Sequence, residues 1–165
     1  GLERMSRQRA QIMTGSEQLE IDELDRRILS ILSDDSRTSS RKVAQRCKVS
    51  VGTVLTRIKR MERAGIIKGY TIIVDEEKLG YELTAVAEIT VSKGKLLEME
   101  QAISRHSNVC AVYDITGLTD AFVIAKFRTR EELSKFTKGM LAMPFIDRTN
   151  THLVLTTIKE DFRLL

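Results

Sequence analysis

The chain has no run approaching the roughly 20 apolar residues that a membrane span requires. Nor does it open with a charged head joined to an apolar stretch of about 7–15 residues, as a secretory leader would. Membrane insertion and secretion are therefore not expected. Cysteine is scarce: Cys47 and Cys110 are far apart, each in an apolar-patterned segment. Such thiols suit small, reduced core residues in a cytosol better than a disulfide framework. His106 and His152 are the only histidines and have no cysteine or carboxylate at ligand spacing, so no metal site is expected. Gly65, Gly69 and Gly80 are isolated and build no phosphate-cradling loop. Asp114 and Asp120 flank one turn, where two acids read as structural rather than as a catalytic pair. No catalysis and no cofactor are expected. Internal repeats and low-complexity tracts are also lacking.

What is present is enough apolar residue, 42%, to bury a core, and an uneven distribution of charge. The formal charge is only +4 over 165 residues. Between Arg37 and Lys68, however, ten basic residues face the single acid Glu62, a local +9, whereas from Tyr81 to Leu165 eleven basic and eleven acidic residues cancel. One part of the chain is suited to meet a polyanion and the other is not.

The periodicities give an order of elements. Residues 1–20 read as a flexible arm, with Met5 as a natural start and residues 1–4 as cloning remnants. Leu24, Ile28, Leu29, Ile31 and Leu32 recur at helical spacing behind Asp22, Glu23 and Asp25, acids that suit a helix N-terminus. Ser39 or Thr38 caps a second short helix with Val43, Ala44 and Cys47 on one face. Ser50 caps a third, in which Val51, Val54, Leu55, Ile58 and Met61 form the apolar side and Gly65 ends the run. IIKGYTIIVD then reads as a hairpin-like pair of β-branched runs around Lys68-Gly69, a wing or a connecting strand. Beyond it come strand, helix, strand, strand, helix and strand, with Pro144 just past the second helix and the last strand drawn from RTNTHLVLTTI. Right-handed crossovers turn this order into a four-stranded antiparallel sheet with two helices on one face. The expected fold class is α+β: a winged helix-turn-helix over residues 21–70, a linker strand over 71–83 and a ferredoxin-like βαββαβ domain over 84–165.

On a wheel of 100° per residue, the apolar set of the third helix lies within about 60–80° of Val51. Opposite it fall Thr53, Thr56, Arg57 and Arg60, with Gly52 and Arg63 nearer the edge. Short residues let a backbone approach base edges, arginine pairs with guanine, and threonine meets a thymine methyl. This predicts a helix that enters the major groove of double-stranded DNA from Ser50 onward. Thr53, Thr56 and Arg57 are the expected base readers, and Lys59, Arg60 and Arg63 hold the backbone. Arg41, Lys42 and Arg46 on the second helix and Lys68 in the hairpin position the protein on phosphates. A dimer on a pseudo-palindromic operator would lengthen so short a footprint.

The run from Ile21 to Tyr81, with Ile21-Asp22-x-x-Asp25 and then Ser50, Val54, Arg57, Ile58, Met61, Glu62, Gly65, Ile66 and Ile67 at fixed offsets, resembles the Lrp/AsnC (feast/famine) transcription regulators. The resemblance extends to the chain's end in the order of its elements. It implies a recognition helix beginning at Ser50 and a ferredoxin-like domain that pairs sheets into a homodimer, with dimers assembling to tetramers or octamers. One departure is Lys48, where the family usually has glycine. If that residue adopts φ > 0, its side chain costs about 1 kcal/mol.

From the residues alone, Thr116 to Asp120 is a hairpin turn that uses Gly117 and a turn-capping Asp120. The resemblance implies instead a loop between dimers that lines an amino-acid effector pocket. Its candidates are Gly117, Leu118, Thr119 and Asp120, with Thr149, Asn150 and Thr151 facing them. Asp120 would take an ammonium; Leu118 stands where family members often carry a second acid. RNA is the rival ligand, but Tyr113, Phe122 and Phe127 do not form a paired base-stacking signature and read as core or interface. The residues thus predict a cytoplasmic, nucleoid-associated regulator that binds specific DNA, and the resemblance implies that it answers to an amino acid or related metabolite. The alternative is an architectural DNA-organising protein of the same fold without an effector.

Overall fold

The computed structural model describes residues 19–165. The predicted arm therefore lies, apart from its last two residues, outside the described part. Contacts divide the chain into two compact units. One holds the described residues up to Ile72 together with Asp161–Leu165, and the other holds Ile73–Glu160.

The first unit is three helices. Helix α1 (Glu23–Asp34) starts at Asp22, whose carboxylate accepts from the Asp25 amide at 2.9 Å while the Asp25 carboxylate accepts from the Asp22 amide at 3.2 Å. That reciprocal box satisfies two amides that a helix start otherwise leaves unpaired. Ser39, not Thr38, caps α2 (Ser40–Cys47) by accepting from the Lys42 amide at 3.2 Å. Lys48 then takes φ 56° and ψ 45°, the only non-glycine among the described residues with positive φ. Ser50 caps α3 (Val51–Arg63) through the Thr53 amide at 3.1 Å. Past α3, Gly65 at φ 74° turns the chain so that the Ile66 and Ile67 amides both return to the Met61 carbonyl. Ile28, Val43, Ala44, Cys47, Val54 and Met61 form the core. Val51 and Leu55 do not join it. They are 40% and 43% exposed, contrary to their place on the expected apolar face.

The hairpin and the linker strand are corrections as well. Among the described residues no strand precedes Leu83. Ile66 and Ile67 are held by the bonds that close α3, and Ile72 and Ile73, each 80% exposed, have no ladder partner. β-branched composition favours a strand only where another strand is available to pair with it. Residues 75–80 instead form turns closed by the Leu79 and Gly80 amides. Arg128 holds this segment by donating to the Leu79 carbonyl at 2.7 Å and lying 5.4 Å from the Tyr81 ring centre.

The second unit is the predicted βαββαβ domain: β1 (Leu83–Val91), α4 (Leu96–Ser104), β2 (Val109–Asp114), β3 (Ala121–Phe127), α5 (Arg130–Leu141) and β4 (Ile146–Leu153). The sheet order is β2-β3-β1-β4, and every neighbouring pair is antiparallel. Strict alternation sends Ala85, Ala87 and Ile89 of β1 and Ala121, Val123, Ala125 and Phe127 of β3 to one face. Met99 and Ile103 of α4 and Phe136 and Met140 of α5 pack on them, and the alanines leave room for the helices. The Phe136 ring lies 5.2 Å from Phe127 and 4.9 Å, edge on, from that of the exposed His106. Cys110 is exposed, contrary to expectation. The β2–β3 register shifts between Val109 and Ala111, and the residue left unpaired there is Cys110 on an edge strand. β4 begins at Ile146 and ends at Leu153, short of the predicted Ile158, leaving Leu155 and Ile158 exposed.

Candidate nucleic-acid interface and effector loop

The orientation of α3 is set by charge as much as by apolar packing. Asp25 is wholly buried, the only buried polar or charged side chain among the described residues. It faces two guanidiniums of α3: Arg60 donates to its Oδ2 at 3.0 Å, and Arg57 lies 3.2 Å from its Oδ1. Arg57 also donates to the Asp22 carboxylate at 2.5 Å. That bond, followed by the Asp25 amide, lowers the Asp22 carboxyl from its ordinary 3.8 to about 2. The same bond raises the Arg57 guanidinium above its usual value. A carboxylate removed from water is tolerated only where cations and donors replace the water, and Arg57 and Arg60 do so here.

The helix is thereby turned by about 60° from the orientation that its apolar residues alone suggest. The inward stripe is Val54, Arg57, Ile58 and Met61, and the exposed residues are Val51, Gly52, Leu55, Thr56, Lys59, Glu62 and Arg63. Of the expected base readers, Thr56 is exposed and Thr53 half-buried, its hydroxyl 2.9 Å from that of Ser50. Arg57 points into the acid pair. Of the expected backbone holders, Lys59 and Arg63 are exposed and Arg60 bonds Asp25. Gly52 stands on the outward side, and a Cβ added there would meet only the Ser50 hydroxyl, at 3.9 Å. Arg41, Lys42, Arg46 and Lys68 are exposed, Lys68 in an unpaired segment rather than a wing tip. Among the described residues none of these four, nor Lys59 nor Arg63, makes an ion pair with another side chain.

In the other unit, the β2–β3 loop is closed by the Ile115 amide donating to the Asp120 carbonyl at 3.1 Å, with Gly117 at φ 115° and Leu118 fully exposed at the tip. The Asp120 carboxylate accepts from the Val91 amide at 2.8 Å, beside the irregularity between Thr90 and Val91 of β1. One oxygen thus pins the loop to the strand. Thr119 is half-buried. Thr149 and Thr151 are register partners of Ile89 and Ala87 and share their helix-covered face. Asn150 is the partner of Glu88 and projects from the opposite face, where Asn150 and His152 both meet the Glu88 carboxylate at 3.2 Å. The three β4 candidates are therefore divided between the two faces. Glu88 was not anticipated, because a lone acid in an alternating strand gives no sign of which cross-strand residues it will meet.

The outer sheet face also brings Tyr113 opposite Phe122, beside Ile124 and Val86. Its Lys126 is paired at 2.6 Å with Glu160 and lies 3.8 Å from Glu76, so the one lysine there is neutralised rather than offered to a phosphate. No helix among the described residues is long and apolar enough to cross a membrane, and no group of three or more histidine, cysteine or acidic residues gathers at metal-binding distance.

Comparison with known proteins accounts for both units. Residues 21–68 match the family described as winged helix-turn-helix DNA-binding, and residues 84–164 match the Lrp/AsnC ligand binding domain. An uncharacterized HTH-type transcriptional regulator of Pyrococcus furiosus is 49% identical over 88% of this chain and 99% of its own length. Among solved structures, AsnC of E. coli superposes with a TM-score of 0.82 at 28% identity, over 87% of this chain and 97% of that one. A transcriptional regulator of Neisseria meningitidis, solved as its complex with L-Met, also gives 0.82, at 25% identity over 88% and 97% of the two chains.

Proposed function

The chain belongs to the Lrp/AsnC family of helix-turn-helix transcription regulators, and from that premise we propose that it binds specific double-stranded operators through the outward arc of α3. The observation that carries this reading is the division of labour among the cations. Arg57 and Arg60 are committed to Asp22 and Asp25, while Arg41, Lys42, Lys59, Arg63 and Lys68 remain exposed. Gly52 and Thr56 give a small surface that can come close to base edges, and the free cations neutralise phosphates on either side. Lys48 keeps a left-handed backbone that glycine would adopt at lower cost, and its ammonium adds to the same basic surface. Salt-titrated binding of duplex DNA and of single-stranded RNA tests this. Affinity for the duplex should fall linearly in log–log form with a slope of about −0.9 per phosphate neutralised. Tighter binding to the RNA overturns it.

The sheet unit supports assembly: the half-buried Val86, Phe122 and Ile124 of its outer face suit pairing with a second copy, giving a homodimer that reads a pseudo-palindrome. Tetramers or octamers would follow from further contacts, in a cytoplasmic, nucleoid-associated protein. We assign the β2–β3 loop with Asp120 and Thr149 as the place where an amino acid or related metabolite acts, its ammonium taken by the Asp120 oxygen not used by Val91. An architectural, DNA-organising role without an effector is the second reading, favoured by the engagement of Asp120 with the Val91 amide and by the apolar Leu118. Adding amino acids while measuring sedimentation and operator affinity separates the two. A change in either supports the sensor, and no change in both supports the organiser.

A further inference from the structure

We propose that Val51 and Leu55 are specificity-determining residues that read the 5-methyl groups of thymine in the major groove. The proposal rests on the DNA-binding reading above and says what kind of base edge this protein selects. Val51 and Leu55 are one helical turn apart on α3, so they share one side, and they are 40% and 43% exposed. An isolated exposed leucine needs no explanation, but these two adjoin Gly52 and Thr56 on the arc that also carries Lys59 and Arg63. The outward surface of α3 is thus apolar and small in its first two turns and cationic toward its end.

The chemistry of the groove favours thymine. Among base edges there, the thymine methyl is the one apolar group, whereas guanine offers two acceptors best met by a guanidinium. Arg57 and Arg60, the arginines nearest these residues, are occupied by Asp22 and Asp25, and Arg63 lies two turns or more further on. The near part of the reading arc therefore holds methyl-sized apolar groups and no free guanidinium. A duplex is favoured as the occupant by charge: Arg41, Lys42, Arg46, Lys48, Lys59 and Arg63 are all exposed in the same small unit, opposed on α3 only by Glu62. A protein surface that buried Val51 and Leu55 would have to desolvate those cations without phosphates to receive them.

The test selects the tightest duplex from a randomised pool and remakes it with deoxyuridine in place of every thymine, which removes the methyls and leaves the pairing unchanged. The full chain should bind the deoxyuridine duplex more weakly, by about fourfold for each methyl buried. The Val51→Ala/Leu55→Ala variant should lose most of that ratio. Because each protein is compared with itself on two duplexes, a partial loss of folded protein cancels from the ratio. Equal binding of both duplexes by the unaltered chain overturns the proposal and leaves the DNA-binding reading standing. So does a variant that keeps the full ratio, or one whose sedimentation changes while its ratio does not, which would assign these residues to a protein contact. Failure to prefer any duplex over single-stranded RNA overturns the DNA-binding reading and this proposal together.

Discussion

The two units solve the problem of a core differently. The sheet unit has no buried charge among its described residues: alanines on β1 and β3 bring α4 and α5 close, and Phe127 and Phe136 fill the space between. The helical unit has a small apolar core and buries the Asp25 carboxylate within it, held by two arginines that also belong to the most basic segment of the chain. In the sheet unit a side chain's place in the strand alternation gives its direction. In the helical unit two cations of α3 serve the fold while Lys59 and Arg63 of the same helix stay exposed, so polarity alone does not assign them.

Removing the buried charge breaks the contrast most severely. Asp25→Ala leaves Arg60 without its carboxylate and Arg57 with Asp22 alone, and should destabilise the helical unit by about 3–5 kcal/mol. Phe127→Ala in the sheet unit should cost about the same through a cavity. Because the units need not unfold together, amide hydrogen exchange is the suitable measurement. Asp25→Ala should accelerate exchange across α1–α3 and Phe127→Ala across the sheet. If Asp25→Ala left α1–α3 protected, the acid would be incidental and the two cores equivalent.

A paired test on α3 asks whether its cations really divide. Arg57→Ala should lower the stability of the helical unit by about 1–2 kcal/mol, as loss of a charged hydrogen bond does. Lys59→Ala should leave stability unchanged and weaken duplex binding by about 1 kcal/mol, with a shallower salt dependence. Melting profiles and salt titrations of both variants decide it. A destabilised Lys59→Ala or a fully stable Arg57→Ala would reverse the assignment of the faces.

Much of this was legible in the sequence, and the exceptions have physical reasons. The βαββαβ order could be read because short apolar, β-branched runs alternate with segments of helical period, and within β3 burial alternates residue by residue. The caps Ser39 and Ser50 and the stop at Gly65 could be read because a capping oxygen or a left-handed glycine acts locally. The facing of α3 could not, because a wheel treats every arginine as outward, and an aspartate in a first turn looks like a complement to the helix dipole. A usable sign existed: on the wheel Arg57 falls only about 40° from Met61, at the edge of the apolar arc and not truly opposite it. The hairpin failed for a different reason, since IIKGYTIIVD carries the propensity of strands but no information on a partner. In the loop, Gly117 could be read from turn chemistry, whereas the division of Thr149, Asn150 and Thr151 depends on a pairing register set by β1.

Lys48 combines a left-handed backbone with an exposed cation in a single residue. Lys48→Gly should stabilise the helical unit by about 1 kcal/mol, because glycine takes φ 56° without a Cβ penalty. The same change should weaken duplex binding by removing an exposed cation near the start of α3. Opposite signs in melting and binding would confirm that the lysine is kept for its charge, and tighter binding by the glycine variant would show that it is not.

The smallest expected effect concerns acid. The Asp22 carboxyl is held at about 2 in the folded protein, against 3.8 ordinarily, by the Arg57 bond and the Asp25 amide. A depressed folded value means that the unfolded chain binds the proton more readily. The stabilisation is therefore complete above about pH 4 and is lost progressively as pH falls toward 2. Asp22 lies at the surface and its pair is screened by water and salt, so the loss should be modest beside that of Asp25→Ala. Asp22→Asn keeps the shape of the cap, removes the titrating charge and should flatten this acid limb in hydrogen exchange of α1–α3. The sheet unit's limb should be the same with or without the substitution. A sheet unit that followed Asp22→Asn equally would mean that the two cores do not answer to charge separately.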